Sequence, residues 1–219
     1  MFIVINNFTD NYRPLVDKTW YLNKVPYCEK HGYSHELQFL ESSLPMHEYQ
    51  IEKVKFIQRV VNDSPEDSWI WWTGADLMIT NFLIKLEDIV DNNYHFITAT
   101  DFNGINADSF LIRNSQPGRD YLNMIAEKLP NYTYWEGEQG IMKDTLEEYK
   151  DTIIKLVPQR TMNSYNYTLY KGWGPEPMLD KLGNVGDWQI GDFAIHWPAQ
   201  SLEFRLQAFD YYSQFIIRQ

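Results

Sequence analysis

Strands alternating with helical patterns place this chain in the α/β class, as one domain over residues 1–219 with a mixed, mostly parallel central sheet flanked by helices. Three observations carry that reading. Short apolar runs, MFIVI at the start and WIWW at residues 69–72, have the β-branched and aromatic make-up of buried strands. Between them, residues 47–63 repeat their apolar side chains at helical spacing. No internal repeat, low-complexity tract or Pro/Gly/Ser linker divides the sequence, and 44% apolar content with 16% aromatic residues is enough for one sizeable core.

The elements follow in order. A first strand over residues 1–5 ends in a polar loop from Asn6 to Tyr12. Residues 16–31 carry apolar and aromatic side chains at mixed helical spacing, and Gly32 stops them. HELQFLE reads as a second strand. The helix of residues 47–63 gathers Ile51, Val54, Ile57, Val60 and Val61 on one face and is closed by Asn62, Asp63 and Pro65. WIWW follows, then a loop around Asp76, a short helix over residues 83–90, and the strand HFITAT. A polar loop from Asn106 to Ser109 leads into the strand SFLIRNS, with Arg113 and Asn114 at its far end. Residues 117–129 form a helix with Pro117 in its first turn, and residues 136–150 form another with acidic residues near its start. TIIKLVPQ is a strand, residues 162–191 a long aromatic, Gly-rich loop region, and residues 199–217 a closing helix.

The charge balance limits the partners. With 19 basic against 30 acidic residues the net charge is −11, which repels nucleic acid and disfavours an anionic membrane surface. A single cysteine, Cys28, excludes an intrachain disulfide. No run approaches the roughly 20 apolar residues that span a bilayer, and the apolar start is too short for a signal segment. The expectation is a cytoplasmic protein without a transmembrane anchor.

In sheets of this kind, ligands gather at the carboxyl ends of the strands. Asn6 and Asn7 stand at one such end and Asp76 at another. Oxygen ligands with a histidine suit Mn²⁺, and Asp76 with His196, in GDFAIHWPA, supplies one of each. Each has a plainer alternative: Asp76 as a helix N-cap, His196 as a satisfied core histidine between Ile195 and Trp197. Glu136, Glu138 and Gln139 cluster at a helix start, where the helix dipole alone favours carboxylates. Asn106 to Ser109 reads equally as a turn held by local hydrogen bonds.

The joint order of these segments is more specific than any one of them. NKVPYCEKHGY, EKVKFIQRVVNDSPEDSWIWWTGADLMITN, NADSFLIRNS, EQGIM, VPQRTMNSY and GDFAIHWPA resemble, in sequence, the successive blocks of glycosyltransferase family 34, over about residues 23–199. That family holds retaining α-galactosyl-, α-mannosyl- and α-xylosyltransferases. The resemblance implies a GT-A fold, a UDP- or GDP-sugar donor, a glycan or glycolipid acceptor, and a Mn²⁺ ion held by an Asp-x-Asp motif and a late histidine. Carried over, the second Asp of the motif is Asp76 and the histidine is His196. The first Asp falls on Gly74, so metal binding is expected to be weaker, and a catalytically weak or inactive nucleotide-sugar- or glycan-binding protein of the same fold is the alternative outcome. The acidic-Gln pair falls on Glu138 and Gln139: Glu138 would hold donor-sugar hydroxyls and Gln139 would face the anomeric carbon. Asn106, Ala107 and Asp108 stand where NAG is usual, so Asp108 crowds the donor-sugar site. Asn6, Asn7 and Phe8 are the candidates for nucleobase and ribose. Lys53 is either structural or faces the diphosphate, and its place inside a helix favours the structural reading. The aromatics of NSYNYTLYKGWG suit packing more than sugar stacking.

Overall fold

The computed structural model describes residues 1–42, 44–150, 152–170 and 177–219. Its main sheet has the strand order β2-β1-β3-β6-β5-β7, built from β1 (Phe2–Thr9), β2 (Ser34–Leu40), β3 (Trp69–Thr73), β5 (Phe96–Asp101), β6 (Gly104–Arg113) and β7 (Ile154–Val157). Pairing is parallel throughout except at β6, which runs against both β3 and β5. The reversal has a functional result. The amino end of β6 lies at the same sheet edge as the carboxyl ends of the others, with Ser109 opposite Thr73. A smaller sheet, β4-β9-β8, is made of β4 (Leu77–Ile79), β8 (Ser164–Tyr165) and β9 (Ala194–His196).

Both faces of the main sheet are covered, which is why its strands read as unbroken apolar runs rather than alternating ones. On one face Ile3, Ile5, Ile70, Trp72, Phe110 and Ile112 pack against α3 (Met46–Asp63), α4 (Gln116–Lys128) and α5 (Glu138–Tyr149). On the other, Val4, Phe8, Trp69, Trp71, Ile97 and Leu111 meet Trp20, Tyr27 and Cys28. Those three residues lie on a continuous helical stretch: α1 (Arg13–Val16), a π-helical segment (Asp17–Lys24) and α2 (Val25–His31). Gly32, at φ 70°, ends it in the left-handed conformation that a side chain would strain. The last helix, α6 (Leu202–Tyr212), packs with Met78, Ile195 and Trp197 beside the small sheet. No helix among the described residues is long and apolar enough to cross a membrane.

Several expectations are corrected. The first strand does not stop at Ile5 but runs to Thr9, carrying Asn6, Asn7 and Phe8 in extended backbone. Asn106 to Ser109 is likewise strand, within β6, because its backbone pairs with both neighbours. The helix expected over residues 83–90 is a single 3-10 turn, Leu86–Asp88. Asp76 caps no helix; it immediately precedes β4. The closing helix is shorter than expected, α6 being followed by a 3-10 turn, Ser213–Phe215. Of the aromatics in NSYNYTLYKGWG, Tyr165 and Tyr170 are buried and pack together, and residues 171–174 lie outside the described residues.

Candidate functional site

Asp76 and His196 are 120 positions apart in sequence and meet because β4 pairs antiparallel with β9. Leu77 stands opposite His196, and Trp197 N donates to Asp76 O at 3.1 Å. This leaves Asp76 Oδ1 3.1 Å from His196 Nε2. The imidazole is fully buried, and its other nitrogen, Nδ1, lies 2.7 Å from Asn163 Oδ1. The orientation of Asn163 follows from its surroundings. Tyr165 gives its phenolic proton to Asp101 Oδ2 at 2.7 Å, so it accepts from Asn163 Nδ2 at 3.2 Å and from Asn106 Nδ2 at 3.0 Å. Asn163 therefore turns its carbonyl oxygen to His196, and Nδ1 carries the hydrogen. Nε2 is left with a lone pair facing a carboxylate oxygen, an arrangement that requires a shared cation, either a proton or a metal ion.

Asp76 is charged. Burial opposes the charge, but His196 and Arg205 beside it, with backbone hydrogen bonding, hold its carboxyl well below the usual carboxylate range. Arg205, on α6, reaches Asp76 Oδ2 at 2.6 Å, donates through Nε to Trp197 O at 3.0 Å, and lies over the Tyr12 ring.

The loop that carries Asp76 is clamped by the π-helical segment. Thr19 Oγ1 donates to Ala75 O at 2.7 Å, Asn23 bonds both the N–H and the carbonyl of Ile79, and Lys24 Nζ reaches Gly74 O at 3.1 Å and Leu77 O at 2.6 Å. An i→i+5 helix aligns residues 19 and 24, while residues 19 and 23 keep ordinary i,i+4 proximity, so all three face one loop. Burial pushes the Lys24 ammonium down to about 7, with Asp76 and Cys28 pulling the other way.

A second group lies across the same sheet edge. Lys53 projects from α3 into the interior, where Nζ is 2.7 Å from Glu138 Oε1, 2.8 Å from Ala107 O and 3.6 Å from Asp108 Oδ1, above the Trp72 ring. Glu138 begins α5; its second oxygen, Oε2, is buried with no hydrogen-bond partner among the described residues. Gln139 turns Oε1 to the N–H of Ala107 at 3.2 Å. Of the three β6 candidates, only Asp108 is open. Asn106 is consumed internally, by Tyr165, Asp101 and the N–H of Asp108, and Ala107 contributes backbone alone. Asp108 is half-exposed, with Oδ2 3.9 Å from His196 Nε2.

At the third candidate position the strand geometry separates what the sequence grouped. Successive residues of β1 point to opposite faces, so Asn6 and Phe8 share a face and Asn7 takes the other. Both asparagine side chains are fully buried with no hydrogen-bond partner among the described residues. Phe8 borders a cleft of about 330 Å³ with Arg13, Tyr21, Leu37 and Phe39.

A sequence model of the galactosyl transferase GMA12/MNN10 family matches residues 1–93 and 90–199. The chain belongs to that family. An uncharacterized alpha-1,2-galactosyltransferase of Schizosaccharomyces pombe is 29% identical over 83% of this chain and 57% of its own. The probable alpha-1,6-mannosyltransferase MNN10 of Saccharomyces cerevisiae is 25% identical over 65% of this chain and 46% of its own. The chain thus spans about half the length of these curated relatives. A crystal structure of a glycosyltransferase involved in glycosylation of the major capsid of PBCV-1 superposes with a TM-score of 0.71 at 14% identity, covering 96% of this chain and 98% of that one, a likeness of fold. The fold is GT-A.

Gly74 and Asp108, the two positions where the sequence was expected to depart from the resembled pattern, are spatial neighbours. A Cβ at Gly74 would stand 3.0 Å from Asp76 Oδ1 and 3.5 Å from Asp108 Cβ, and Gly74 N donates to Asp108 O at 2.7 Å. Among the described residues no three His, Cys, Asp or Glu side chains are gathered into a ready cation cage. The Asp76–His196 pair nonetheless fits a cation, because Nε2 and a carboxylate oxygen face each other over 3.1 Å, where a metal ion could replace the shared proton, and Nδ1 is held from behind by Asn163. Sequence reading missed Lys24, Asn163 and Arg205, and left Lys53 as structural. A lysine at 53 with Phe56, Ile57 and Val60 falls at i, i+3, i+4 and i+7, on the buried helix face, and that spacing was a usable signal.

Proposed function

We propose that the chain is a retaining glycosyltransferase that moves a hexose or pentose (galactose, mannose or xylose) from a UDP- or GDP-sugar to a glycan or glycolipid acceptor, with Mn²⁺ held by Asp76 and His196. The observation that carries this reading is the meeting of Asp76 with His196 at 3.1 Å on the sheet edge that also presents Glu138, Gln139 and Asp108. A divalent cation bound there would act as a Lewis acid on the donor diphosphate, offsetting the charge that develops as it leaves. The chain's own groups do the rest. Lys53 fixes Glu138 so that its unpartnered Oε2 accepts from donor-sugar hydroxyls. Gln139, braced by its bond to Ala107 N, is held beside the sugar with its remaining polar capacity toward the anomeric centre. Phe8 and its cleft are the candidate for the base. Tyr134 and Trp135, exposed just ahead of Glu138, give an acceptor sugar a stacking surface.

The test is donor turnover. Wild-type protein incubated with UDP-galactose, GDP-mannose or UDP-xylose should hydrolyse one of them slowly in the presence of Mn²⁺, and early NMR spectra should show the liberated sugar in the donor's own anomeric configuration. Asp76→Asn should lower that rate by about 100-fold or more. An inverted anomer would refute retention. The second reading, a binding protein without turnover, is favoured by the missing carboxylate at Gly74 and by Arg205 occupying Asp76 Oδ2. It predicts metal-indifferent nucleotide-sugar binding and no hydrolysis.

A further inference from the structure

We infer that Asp108 supplies to the cation at Asp76 and His196 the carboxylate that residue 74 does not provide, so that Gly74 and Asp108 are two halves of one arrangement. The inference deepens the transferase reading and rests on it.

The space at residue 74 is the first argument. A Cβ there would stand 3.0 Å from Asp76 Oδ1 and in ordinary contact, at 3.5 Å, with Asp108 Cβ, so residues 74, 76 and 108 border the same small space. The second is reach. Asp108 Oδ2 lies 3.9 Å from the same imidazole nitrogen that Asp76 approaches to 3.1 Å. Around an octahedral ion with bonds of about 2.1 Å, neighbouring donor atoms sit about 3.0 Å apart and opposite ones about 4.2 Å apart, so both separations fall within the span one ion can bridge. The third is freedom to move. Asp108 is anchored by its backbone, N to Asn106 Oδ1 at 2.9 Å and O to Gly74 N at 2.7 Å, while among the described residues its half-exposed carboxylate is approached by charged groups no nearer than Lys53 Nζ at 3.6 Å and His196 Nε2 at 3.9 Å. The fourth is Glu138 Oε2 on the far side of Lys53, an acceptor beside this cluster that is buried without a hydrogen-bond partner among the described residues. Lys53 thus stands between two carboxylates, and turning Asp108 toward His196 leaves Lys53 its shorter bond, to Glu138.

The experiment measures Mn²⁺ binding directly, by electron paramagnetic resonance of the free ion and by calorimetry, with no sugar donor present. Asp76→Asn and His196→Ala report on the underlying site, Asp108→Asn on the new ligand, and exposed Asp120→Asn serves as the control; thermal melting checks that each variant is folded. The expected result is that Asp108→Asn weakens Mn²⁺ binding at least about tenfold and that the exchange variant Gly74→Asp/Asp108→Gly returns it to within about threefold of wild type. If Asp76→Asn and His196→Ala lose the ion while Asp108→Asn binds as wild type does, the assignment of Asp108 is overturned and the transferase reading stands. If Asp108→Asn loses the ion but the exchange variant, folded, fails to regain it, the pairing of positions 74 and 108 is overturned. Wild-type protein that binds no Mn²⁺ overturns both the metal site and this inference.

Discussion

Replacing Lys53 with methionine tests the part of the site that depends most on burial. Its ammonium and the Glu138 carboxylate are both nearly inaccessible, 3% and 7% exposed, and 2.7 Å apart. Removing one member of such a pair leaves a buried, uncompensated charge, which costs about 3–5 kcal/mol. The lost hydrogen bond to Ala107 O adds about 1 kcal/mol. Lys53→Met should therefore lower stability by about 4–6 kcal/mol, measured by urea unfolding at pH 7. Lys53→Met/Glu138→Gln should recover most of that loss, because no charge is stranded. A cost below about 1 kcal/mol would refute the claim that Lys53 and Glu138 compensate each other in the interior.

Three further outcomes follow from contacts described above. Lys24, held near 7 in the folded protein against about 10.4 when unfolded, leaves the unfolded chain with the extra proton between those values; wild-type stability should gain up to about 3 kcal/mol from pH 7 to pH 9 through this residue, and urea midpoints of Lys24→Met should lack that rise. Asn163→Ala removes the acceptor that keeps the His196 hydrogen on Nδ1, and should weaken Mn²⁺ binding about tenfold or more by calorimetry; unchanged affinity would show that the tautomer is not set from that side. Gly118→Ala would place a Cβ 2.3 Å from Arg113 O at the docked first turn of α4, and should cost about 1–3 kcal/mol in thermal unfolding; a neutral result would mean that this turn stands off the strand.

What the sequence disclosed, and what it hid, follows from how far each feature depends on local pattern. Strand β3 and helix α3 were legible because WIWW is buried on both faces and α3 repeats its apolar residues every third or fourth position. The meeting of Asp76 with His196 was anticipated, yet the three-residue strands that cause it, β4 and β9, are too short to leave a period. Asn6 and Asn7 passed for loop because polar residues inside a strand look like its end, and strands here run on into the site. Asn106 to Ser109 misled in the same way at the reversed strand β6. Thr19, Asn23 and Lys24 were invisible for another reason: they converge only where the helix widens, and a search at 3.6 residues per turn separates residues 19 and 24. Arg205 reads as one charge on a closing helix until α6 is seen to rest against the Asp76 loop.

The antiparallel join between β4 and β9 also fixes an order of events. The main sheet is complete once residue 157 has been made, but the imidazole, its asparagine brace and the guanidinium on Asp76 all come from beyond residue 160. A chain still emerging from the ribosome could already form its central layer and carry Asp76, but the pairing that brings His196 to Asp76 waits until the closing segment returns to zip against residues 77–79.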